Sequence, residues 1–403
     1  MNILVTGGAG YIGSHVCKAL AAKGYVPITY DNLSRGNLWT VIWGVLERGD
    51  IADADQLRLV LEKYKPGALM HFVPEQTCLH KLPKAEIHVH LEGSFEPATI
   101  ESLASKAGER LPRPRDKLLQ FSDLADFLSF LDWCCGLLQT EEQLSEAAYG
   151  FCRRMAADGT GYADIIVNPT HWRQWHWRIG DMINALDRGF CAAERDGLPA
   201  AGVCVSLLRT QAAAAAAELV DVLIERRHPR VVALSIDGNE AKAERTGPRF
   251  AEAFRRAGTA GLKRTVHAGE SSGPEGVRDA IELLGADRID HGVRAIEDAG
   301  LVALLAERRI ALGVCPTSNT VLGLYASMGE HPLDRLRRAG VPVSVNTDDP
   351  CLLGVTLPGE YGRCVDAYGW SRDDVRAVAR TSIEASFATP ETKARLLTAL
   401  QTW

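Results

Sequence analysis

Four short stretches of this 403-residue sequence combine histidines with carboxylic acids at spacings that could serve one reaction. On a β-strand, residues two apart point to the same face, so His88 and His90 can reach one metal ion. Adding water across a C=N bond needs a Lewis acid, a base and an acid on the ring nitrogen. The remaining members of the set offer candidates for these roles: His267, Glu270, His291, Asp348 and Asp349.

These residues follow short apolar runs that predict the strands of a barrel. Eight such runs, each followed by polar residues and a helical stretch, predict an α/β fold, a (β/α)8 TIM barrel over residues 76–403. The runs are Ile87–Leu91, Tyr162–Val167, Val203–Leu208, Val231–Ile236, Thr265–Ala268, Arg288–His291, Ala311–Val314 and Val341–Val345. A barrel carries its chemistry at the C-terminal ends of its strands, and the motifs above end strands one, five, six and eight. At any one position, a histidine that only packs in the core is an ordinary alternative. That explanation would have to hold independently at all four strand ends.

Three further segments of the barrel region have assignable roles. Residues 121–144, in the long gap between strands one and two, predict extra helices that form a cap. Residues 171–178 (HWRQWHWR) follow strand two and contain three tryptophans. These could stack on a flat heterocycle, or pack against the cap or the N-terminal segment. His331 and Pro332 precede strand eight, and we expect them to be structural residues at the opposite end of the barrel.

The N-terminal segment, residues 1–75, predicts a partial Rossmann-like βαβ unit of about three strands. An apolar run from Ile3 to Thr6 leads into glycines and a helical pattern, and a second run, Val26 to Tyr30, ends at an aspartate. Such glycines let a backbone approach a pyrophosphate at a helix N-terminus, and the aspartate lies where a ribose-binding carboxylate belongs. A tight glycine turn without a ligand is the alternative. The candidate cofactor-binding residues are Gly7, Gly10, Gly13 and Asp31.

This segment resembles the N-terminal part of the extended short-chain dehydrogenases of the UDP-glucose 4-epimerase type, from Met1 to Phe72. The resemblance then ends. None of the nine tyrosines is followed by a lysine four positions later, as the family's catalytic Tyr-x-x-x-Lys requires. Half of the cofactor site is missing as well. We therefore interpret the segment as a truncated remnant that is inactive as an epimerase, and weak NAD binding is the less favoured alternative.

From Leu82 to Pro350 the motifs resemble the adenosine/adenine deaminase family of zinc aminohydrolases. The resemblance implies hydrolytic deamination of an aminopurine, in which a hydroxide made available by zinc adds to C6 and ammonia leaves. Three imidazoles and a carboxylate suit zinc and leave room for a water. The resemblance implies one Zn²⁺ per chain, held by His88, His90, His267 and Asp348.

The same resemblance implies roles for the other polar residues around the metal. Glu270 would give a proton to the purine N1, His291 would hold the water and help to deprotonate it, and Asp349 would orient the hydroxide. Ser318 and Asn319 lie in a CPTSN motif after strand seven. They match a family motif near the metal, and we expect them to support its ligands.

Two positions are candidates for substrate contacts. Glu92 shares the inward face with His90, and adenosine-specific members of the family usually have an aspartate there that meets the ribose 5′-hydroxyl. The glutamate is closer to the adenine branch, or it is a length variant with the same role. Gly238 matches a glycine whose backbone N–H meets purine N3, although Ser235 and Asp237 beside it depart from the usual pattern.

Two other activities fit parts of the pattern. One is a mononuclear amidohydrolase-type enzyme for a pterin, guanine, a modified adenosine or another heterocycle. Two-metal members of that wider group often use a lysine at strand four, and the sequence SIDGNEAK has none at the strand end. The other is an NAD-binding or regulatory fusion with an inactive barrel, against which the intact metal and acid positions argue. No Pro-Cys-x-x-Cys motif of the cytidine deaminase type occurs.

The composition limits the partners and the compartment. A net charge of −6 and a pI near 6.0 disfavour binding to nucleic acid. No apolar run approaches the roughly 20 residues that span a bilayer, and the N-terminus does not resemble a signal peptide. Ten cysteines without a C-x-x-C pair are expected to be reduced thiols in the cytoplasm. We expect a small-molecule purine as the partner, no nucleic acid and no membrane, and a homodimer is left open.

Overall fold

The computed structural model describes residues 1–33, 36–49, 51, 53–72, 79–122, 124–243 and 245–403. Contacts divide the chain into two units, Met1–Lys81 and Leu82–Trp403. The domain boundary predicted between residues 75 and 76 falls within 73–78, outside the described residues. Within the described ranges, no helix has both the length and the apolar character needed to span a bilayer.

The N-terminal unit contains a four-stranded parallel sheet in the order β3-β2-β1-β4, one strand more than the sequence predicts. Its elements are β1 Asn2–Thr6, α1 Tyr11–Ala22, β2 Val26–Asp31, β3 Val45–Arg48, α2 Ala54–Tyr64 and β4 Ala68–His71. Alternate side chains of β1 enter two apolar clusters. Leu4 packs with Ile28 and Val60, whereas Ile3 and Val5 pack with other residues. The βαβ order predicted from the glycine-rich start is confirmed.

The glycine-rich turn of this unit is held by its own backbone and by Asp31. Gly7 has a φ of 73° and its N–H donates to the Tyr30 carbonyl at 2.9 Å. A Cβ on Gly13 would collide with the Gly7 carbonyl, which is why this position needs glycine. Asp31 accepts the backbone N–H groups of Ala9 at 3.0 Å and of Leu33 at 2.8 Å. The carboxylate predicted to meet a ribose therefore stabilises the turn itself.

The second unit is a parallel eight-stranded barrel, in which neighbours along the chain are also neighbours in the sheet. Its strands are β5 Lys84–His90, β6 Thr160–Val167, β7 Ala200–Leu208, β8 Val231–Asp237, β9 Lys263–Ala268, β10 Arg288–His291, β11 Ala311–Val314 and β12 Val343–Val345. All eight predicted strands are present. Both faces of the strands are buried because helices cover the outside and side chains fill the inside. In β5 the apolar Ala85, Ile87 and Val89 alternate with the buried polar residues Glu86 and His88.

Contacts between the first and last strands close the barrel. Val89 and Asp348 form an isolated parallel bridge, and the His90 N–H donates to the Asp348 carbonyl at 2.8 Å. The Ile87 N–H donates to Asn346 Oδ1 at 2.8 Å. This closure brings the two strand ends that carry predicted metal ligands side by side.

Helices surround the barrel and extend over its mouth. They are α3 Pro97–Ala107, α4 Leu124–Gly136, α5 Glu141–Ala157, α6 Ile179–Arg195, α7 Ala213–Arg226, α8 Thr246–Thr259, α9 Pro274–Glu282, α10 Ala299–Glu307, α11 Pro316–Val321, α12 Leu333–Arg338, α13 Leu357–Tyr368, α14 Arg372–Ala385 and α15 Pro390–Thr402. Helices α3 to α5 lie between β5 and β6, where the sequence predicts a cap. Asp132 of α4 accepts a hydrogen bond from His171 Nδ1 at 2.6 Å, which ties this helix to the loop after β6.

A buried network of charged side chains fills the barrel below the strand ends. Arg288 Nη1 lies 2.7 Å from Asp164 Oδ2, and its Nε donates to Thr265 Oγ1 at 3.3 Å. Thr265 in turn donates to Asp290 Oδ2 at 2.6 Å. An unpaired buried charge costs several kcal/mol, so these contacts compensate for burying an arginine between two carboxylates. The network links β6, β9 and β10 directly beneath the candidate site.

Candidate metal centre

Four side chains converge at the C-terminal ends of β5, β9 and β12. One donor atom from each of His88, His90, His267 and Asp348 lies within 4.8 Å of the others, so this group could hold a metal ion. The Nε2 atom of His267 lies 3.1 Å from Nε2 of both His88 and His90. Asp348 Oδ1 lies 3.3 Å from His88 Nε2 and 3.4 Å from His90 Nε2. The structure therefore brings together the four residues that the sequence predicts as ligands.

These separations fit a tetrahedral ion. Bonds of about 2.0–2.1 Å to nitrogen and oxygen place tetrahedral ligands about 3.3 Å apart. The four measured edges, 3.1 to 3.4 Å, bracket that value. His267 Nε2 lies at hydrogen-bond distance from Nε2 of both His88 and His90, and these two nitrogens lie close to Asp348 Oδ1. The protons available here do not satisfy every lone pair. A shared cation resolves this arrangement.

The outer nitrogens of the three imidazoles lie towards oxygen atoms, and one of them is at hydrogen-bond distance. His88 Nδ1 lies 2.8 Å from the Gly313 carbonyl, which can only accept, so this nitrogen carries the proton. His267 Nδ1 lies 3.6 Å from Asp290 Oδ2, and His90 Nδ1 lies 4.0 Å from an oxygen of Asp237. The Gly313 carbonyl thus leaves His88 Nε2 free to bind a metal, whereas His267 Nδ1 has no hydrogen-bond partner among the described residues.

Asp348 is held in an unusual backbone conformation at the barrel closure. Its φ is 64°, a region that residues with a Cβ rarely adopt. Ser318, at the start of α11, donates to Asp348 Oδ2 at 2.6 Å and leaves Oδ1 facing the imidazoles. His291 shares the same strained conformation, with a φ of 63°. Strained residues of this kind cluster at functional sites, where the surrounding structure enforces them.

The charges of the group suit a cation. Although burial opposes it, the carboxylates of Asp290 and Asp348 raise the pKa of His88 to about 9. Burial and the neighbouring imidazoles of His88 and His90 hold the pKa of His267 well below its usual range. Burial alone would raise the pKa of Asp348, but His88 outweighs it and holds this pKa well below the ordinary value. A metal entering the group would therefore displace a proton from His88.

A second group of donor atoms overlaps the first. It consists of His88, His291, Cys315 and Asp348. Burial raises the pKa of the Cys315 thiol well above its usual range, and thiolate is the form that binds metals. The group with three imidazoles is therefore the better metal site.

The predicted acids and base lie beside this centre. His291 Nε2 is 3.4 Å from Glu270 Oε1 and 3.9 Å from Asp348 Oδ2. Burial, together with the charges of Asp348 and Glu240, raises the pKa of Glu270 to about 8. Burial and neighbouring carboxylates also raise the pKa of Asp349. Both carboxyl groups can thus hold a proton near neutral pH.

Asp349 approaches the end of β5 closely because residue 93 is glycine. A Cβ at Gly93 would collide with the Asp349 side chain. The Cys351 N–H donates to the Gly93 carbonyl at 2.9 Å, which fixes the loop that follows. Asp349 Oδ1 is buried and has no hydrogen-bond partner among the described residues, so it can accept a hydrogen bond from a bound molecule.

Glu240 positions the loop that carries Glu270, and the sequence analysis missed it. Its carboxylate accepts the backbone N–H groups of Gly269 at 2.9 Å, Glu270 at 3.0 Å and Ser272 at 3.1 Å. Arg209, also missed, donates to the His267 and Gly238 carbonyls and so joins β7 to β8 and β9. The available signal was a charged residue within three positions after the ends of β7 and β8.

The predicted substrate residue Glu92 is buried beside the metal group. Its Oε1 accepts the backbone N–H of Asn168 and the indole N–H of Trp172, both at 2.7 Å. The Asn168 side chain also donates to Asp237 Oδ1. Glu92 Oε2 and Asp237 Oδ2 are buried without partners among the described residues. Asn168 therefore holds two carboxylates, each with one acceptor still available.

The three tryptophans of the loop after β6 have different surroundings. Trp172 is buried against Glu92, whereas Trp175 donates to the Leu138 carbonyl in the cap at 2.8 Å. Trp177 is 70% exposed. Among the tryptophans, Trp172 alone contacts a predicted site residue, within the part of the chain that the structure describes.

Gly238, the other predicted substrate residue, has a φ of 96°, and its carbonyl accepts a hydrogen bond from Arg209 at 3.1 Å.

The expectation that His331 lies at the opposite end of the barrel is wrong. His331 is buried, and its Nε2 lies 3.1 Å from Asn319 Oδ1. The side chain of Asn319 reaches His291 Nδ1 at 3.3 Å. The segment between α11 and α12 therefore folds back towards the C-terminal strand ends, although His331 precedes β12 in the chain. Of the two CPTSN residues expected to support the metal ligands, Asn319 contacts His291 and Ser318 contacts Asp348.

Comparisons with known proteins agree with this geometry. Residues 83–403 match the family model described as adenosine deaminase, and residues 3–95 match that of the NAD-dependent epimerase/dehydratase family. A protein named adenine deaminase from Sinorhizobium fredii is 35% identical over 320 residues, which cover 79% of this chain and 98% of the relative.

Two solved structures share the barrel. The crystal structure of adenine deaminase from Arthrobacter aurescens has a TM-score of 0.74 and 30% identity, covering 80% of this chain and 99% of that one. An amidohydrolase from Burkholderia ambifaria, solved with bound Zn, has a TM-score of 0.74 and 29% identity, covering 81% of this chain and 92% of that one.

Proposed function

Because the chain belongs to the adenosine deaminase family, we propose that it deaminates an aminopurine hydrolytically at C6, with one Zn²⁺ at the barrel mouth. The observation that carries this proposal is the convergence of three imidazoles and a carboxylate at separations of 3.1–3.4 Å. Nitrogen and oxygen donors of these kinds suit zinc, and a water would bind as a fifth ligand. The Zn-bound structure of the Burkholderia amidohydrolase supports the choice of metal.

The chain's own residues would hold the ion and orient its surroundings. Zinc, when bound, would lower the pKa of water so that hydroxide is available at neutral pH. In this proposal the ligands are His88, His90, His267 and Asp348. The Gly313 carbonyl and the Ser318 hydroxyl would keep two of them oriented through their outer atoms.

Glu270 would transfer a proton and Asp349 would orient the attacking oxygen. The raised pKa of Glu270 keeps its carboxyl protonated, so it can donate to the ring nitrogen beside the reacting carbon. That proton makes C6 electrophilic. Asp349 has a buried oxygen without a partner among the described residues and would accept a hydrogen bond from the attacking oxygen. His291 lies within 4 Å of Glu270 and Asp348 and would contact the same atom.

Adenine is the substrate we favour. Glu92 reaches into the pocket by one methylene more than aspartate would, which suits a bare base that leaves the ribose space unfilled. Its buried, unpartnered oxygen can accept an N–H from the base. The names of the relatives from Sinorhizobium and Arthrobacter support the same choice. A length variant that serves adenosine, or an activity on guanine, a pterin or a modified adenosine, would be the alternative.

The N-terminal segment would not take part in this reaction. We propose that residues 1–75 are an epimerase-like remnant, because the sequence has one half of a dinucleotide site and no Tyr-x-x-x-Lys. Weak NAD binding stays the less favoured prediction. Free thiols at the described cysteines support a reducing compartment such as the cytoplasm. A homodimer stays a prediction.

The test is a zinc determination combined with a panel assay for ammonia release. The panel contains adenine, adenosine, 5′-modified adenosines, guanine and a pterin. We expect about one zinc per chain and the highest kcat/KM on adenine. Zinc without activity on any aminopurine would refute the reaction while preserving the site. Absence of both would favour the fusion with an inactive barrel.

A further inference from the structure

We propose that His331 is a positioning residue that acts through Asn319 to place the proton of His291 on Nε2. His291 would then meet the reacting atoms as a hydrogen-bond donor and not as a base. The inference rests on the proposed function for its catalytic consequence, but the position of the proton follows from contacts of this chain. The three side chains are almost completely buried, so water does not replace these contacts.

The chain of contacts begins at a backbone N–H, which can only donate. The Leu333 N–H donates to His331 Nδ1 at 3.2 Å, so this nitrogen carries no proton. Burial and the nearby Arg335 lower the pKa of His331 to about 4, so the ring is neutral. A neutral imidazole without a proton on Nδ1 carries it on Nε2. His331 Nε2 is therefore a donor.

The donor on His331 then orients the amide of Asn319. His331 Nε2 lies 3.1 Å from Asn319 Oδ1, which must be the accepting atom. The Nδ2 group of Asn319 is thereby directed at His291 Nδ1, at 3.3 Å. An amide NH₂ only donates, so His291 Nδ1 accepts and its neutral ring holds the proton on Nε2. Amide orientation is normally ambiguous, but here the backbone N–H at Leu333 decides it.

The consequence lies on the reacting side of the ring. His291 Nε2 faces Glu270 Oε1 at 3.4 Å and Asp348 Oδ2 at 3.9 Å. The N–H at this position can donate a hydrogen bond to the oxygen that attacks the substrate, but the nitrogen has no lone pair with which to remove a proton. Asp349, whose Oδ1 has no partner among the described residues, can accept a hydrogen bond from the same oxygen. The assignment differs from the expectation that His291 helps to deprotonate the water.

The test reads the tautomer directly in the zinc-loaded, full-length protein labelled with ¹⁵N-histidine. Long-range ¹H–¹⁵N spectra distinguish protonated from unprotonated ring nitrogens, and His291→Asn assigns the signals. We expect an unprotonated Nδ1 and a protonated Nε2. Asn319→Asp replaces the NH₂ donor by an acceptor. It should move the proton of His291 from Nε2 to Nδ1 at unchanged zinc content. A protonated Nδ1 in the unsubstituted protein would overturn the proposal.

Substitutions of His331 test the role of the residue itself. His331→Phe removes the donor but keeps an aromatic ring, and we expect mixed tautomers of His291 and a kcat roughly 10- to 100-fold lower at full zinc occupancy. His331→Gln restores a donor and should recover most of the loss. Equal tautomer populations and kcat in His331→Phe and the unsubstituted protein would refute the role. The spectra report the tautomer even if no aminopurine is deaminated. Failure of the proposed function can therefore be distinguished from failure of this inference about His331.

Discussion

The Nε2 atoms of His88 and His267 face each other at 3.1 Å in the barrel mouth. His88 Nδ1 is engaged by the Gly313 carbonyl, so Nε2 is the nitrogen that remains available. Two inward nitrogens at this separation require either a proton or a cation between them. Asp348 Oδ1, at 3.3 Å from His88 Nε2, adds a negative charge that favours a divalent cation over a single proton.

Zinc binding should release a proton and weaken as the pH falls. The pKa of His88 is raised to about 9 in the metal-free site, so between pH 7 and 9 zinc must displace a proton from this ring. The folded, metal-free form holds that proton below its pKa, so affinity should rise roughly tenfold per pH unit in this window and level off above it. Calorimetric titration of the metal-free protein in buffers of different ionisation enthalpy measures the proton count. A pH-independent affinity would contradict the assignment.

Loss of the Glu270 proton should define the alkaline limb of activity. The carboxyl must be protonated to donate to the purine, so kcat/KM should fall roughly tenfold per pH unit above its pKa. Burial raises this pKa to about 8, and a bound cation opposes the shift, so the midpoint should lie at or below that value. A pH–rate profile with adenine measures it.

Glu270→Gln removes the transferable proton and should lower kcat roughly 10²- to 10⁴-fold without loss of zinc. The matched control is Glu275→Gln, at an exposed position in α9, which should behave like the unsubstituted protein. If the alkaline limb of the pH–rate profile persists in Glu270→Gln, it arises from the titration of another group.

Glu92→Asp should shift preference from adenine towards adenosine. The shorter side chain withdraws the carboxylate from the base and weakens its bonds to Asn168 and Trp172, now both 2.7 Å. One methylene is worth roughly tenfold in discrimination, measured as the ratio of kcat/KM for the two substrates. Glu96→Asp, exposed at the start of α3, is the control. An unchanged ratio would mean that Glu92 does not select the substrate.

Arg288→Met should destabilise the barrel strongly. It leaves Asp164, now 2.7 Å from the guanidinium, and Asp290 as buried carboxylates without their cation. Breaking a buried ion pair on one side costs about 3–5 kcal/mol in the free energy of unfolding. Urea denaturation followed by circular dichroism measures this cost. Arg255→Met, which removes an exposed pair with Glu252, should have a far smaller effect because solvent screens that pair. Equal effects of the two substitutions would refute the role of the network.

The strands and the metal group could be predicted from the sequence because both follow from short-range patterns. Apolar runs mark buried strands, and polar residues directly after them meet at one end of a parallel barrel. His88 and His267 are 179 residues apart, yet each is fixed by its place at a strand end.

The residues that orient the site could not be predicted in this way. Glu240, which binds three N–H groups of the next strand's loop, depends on the register between β8 and β9. The misplacement of His331 has the same origin. A residue before a strand normally lies at the end of the barrel opposite the active site. Here the connection from α11 to α12 turns back towards the C-terminal strand ends and brings His331 to Asn319.

The most direct test of the account is anomalous scattering at the zinc edge from crystals of the zinc-loaded protein. We predict a single peak in the barrel mouth, bonded at about 2.0–2.1 Å to His88, His90, His267 and Asp348, with an oxygen at the remaining position. The peak should be lost in His88→Ala and retained in His228→Ala, a histidine that pairs with Asp187 elsewhere. No peak between these four residues, or a peak bound to other side chains, would contradict the account.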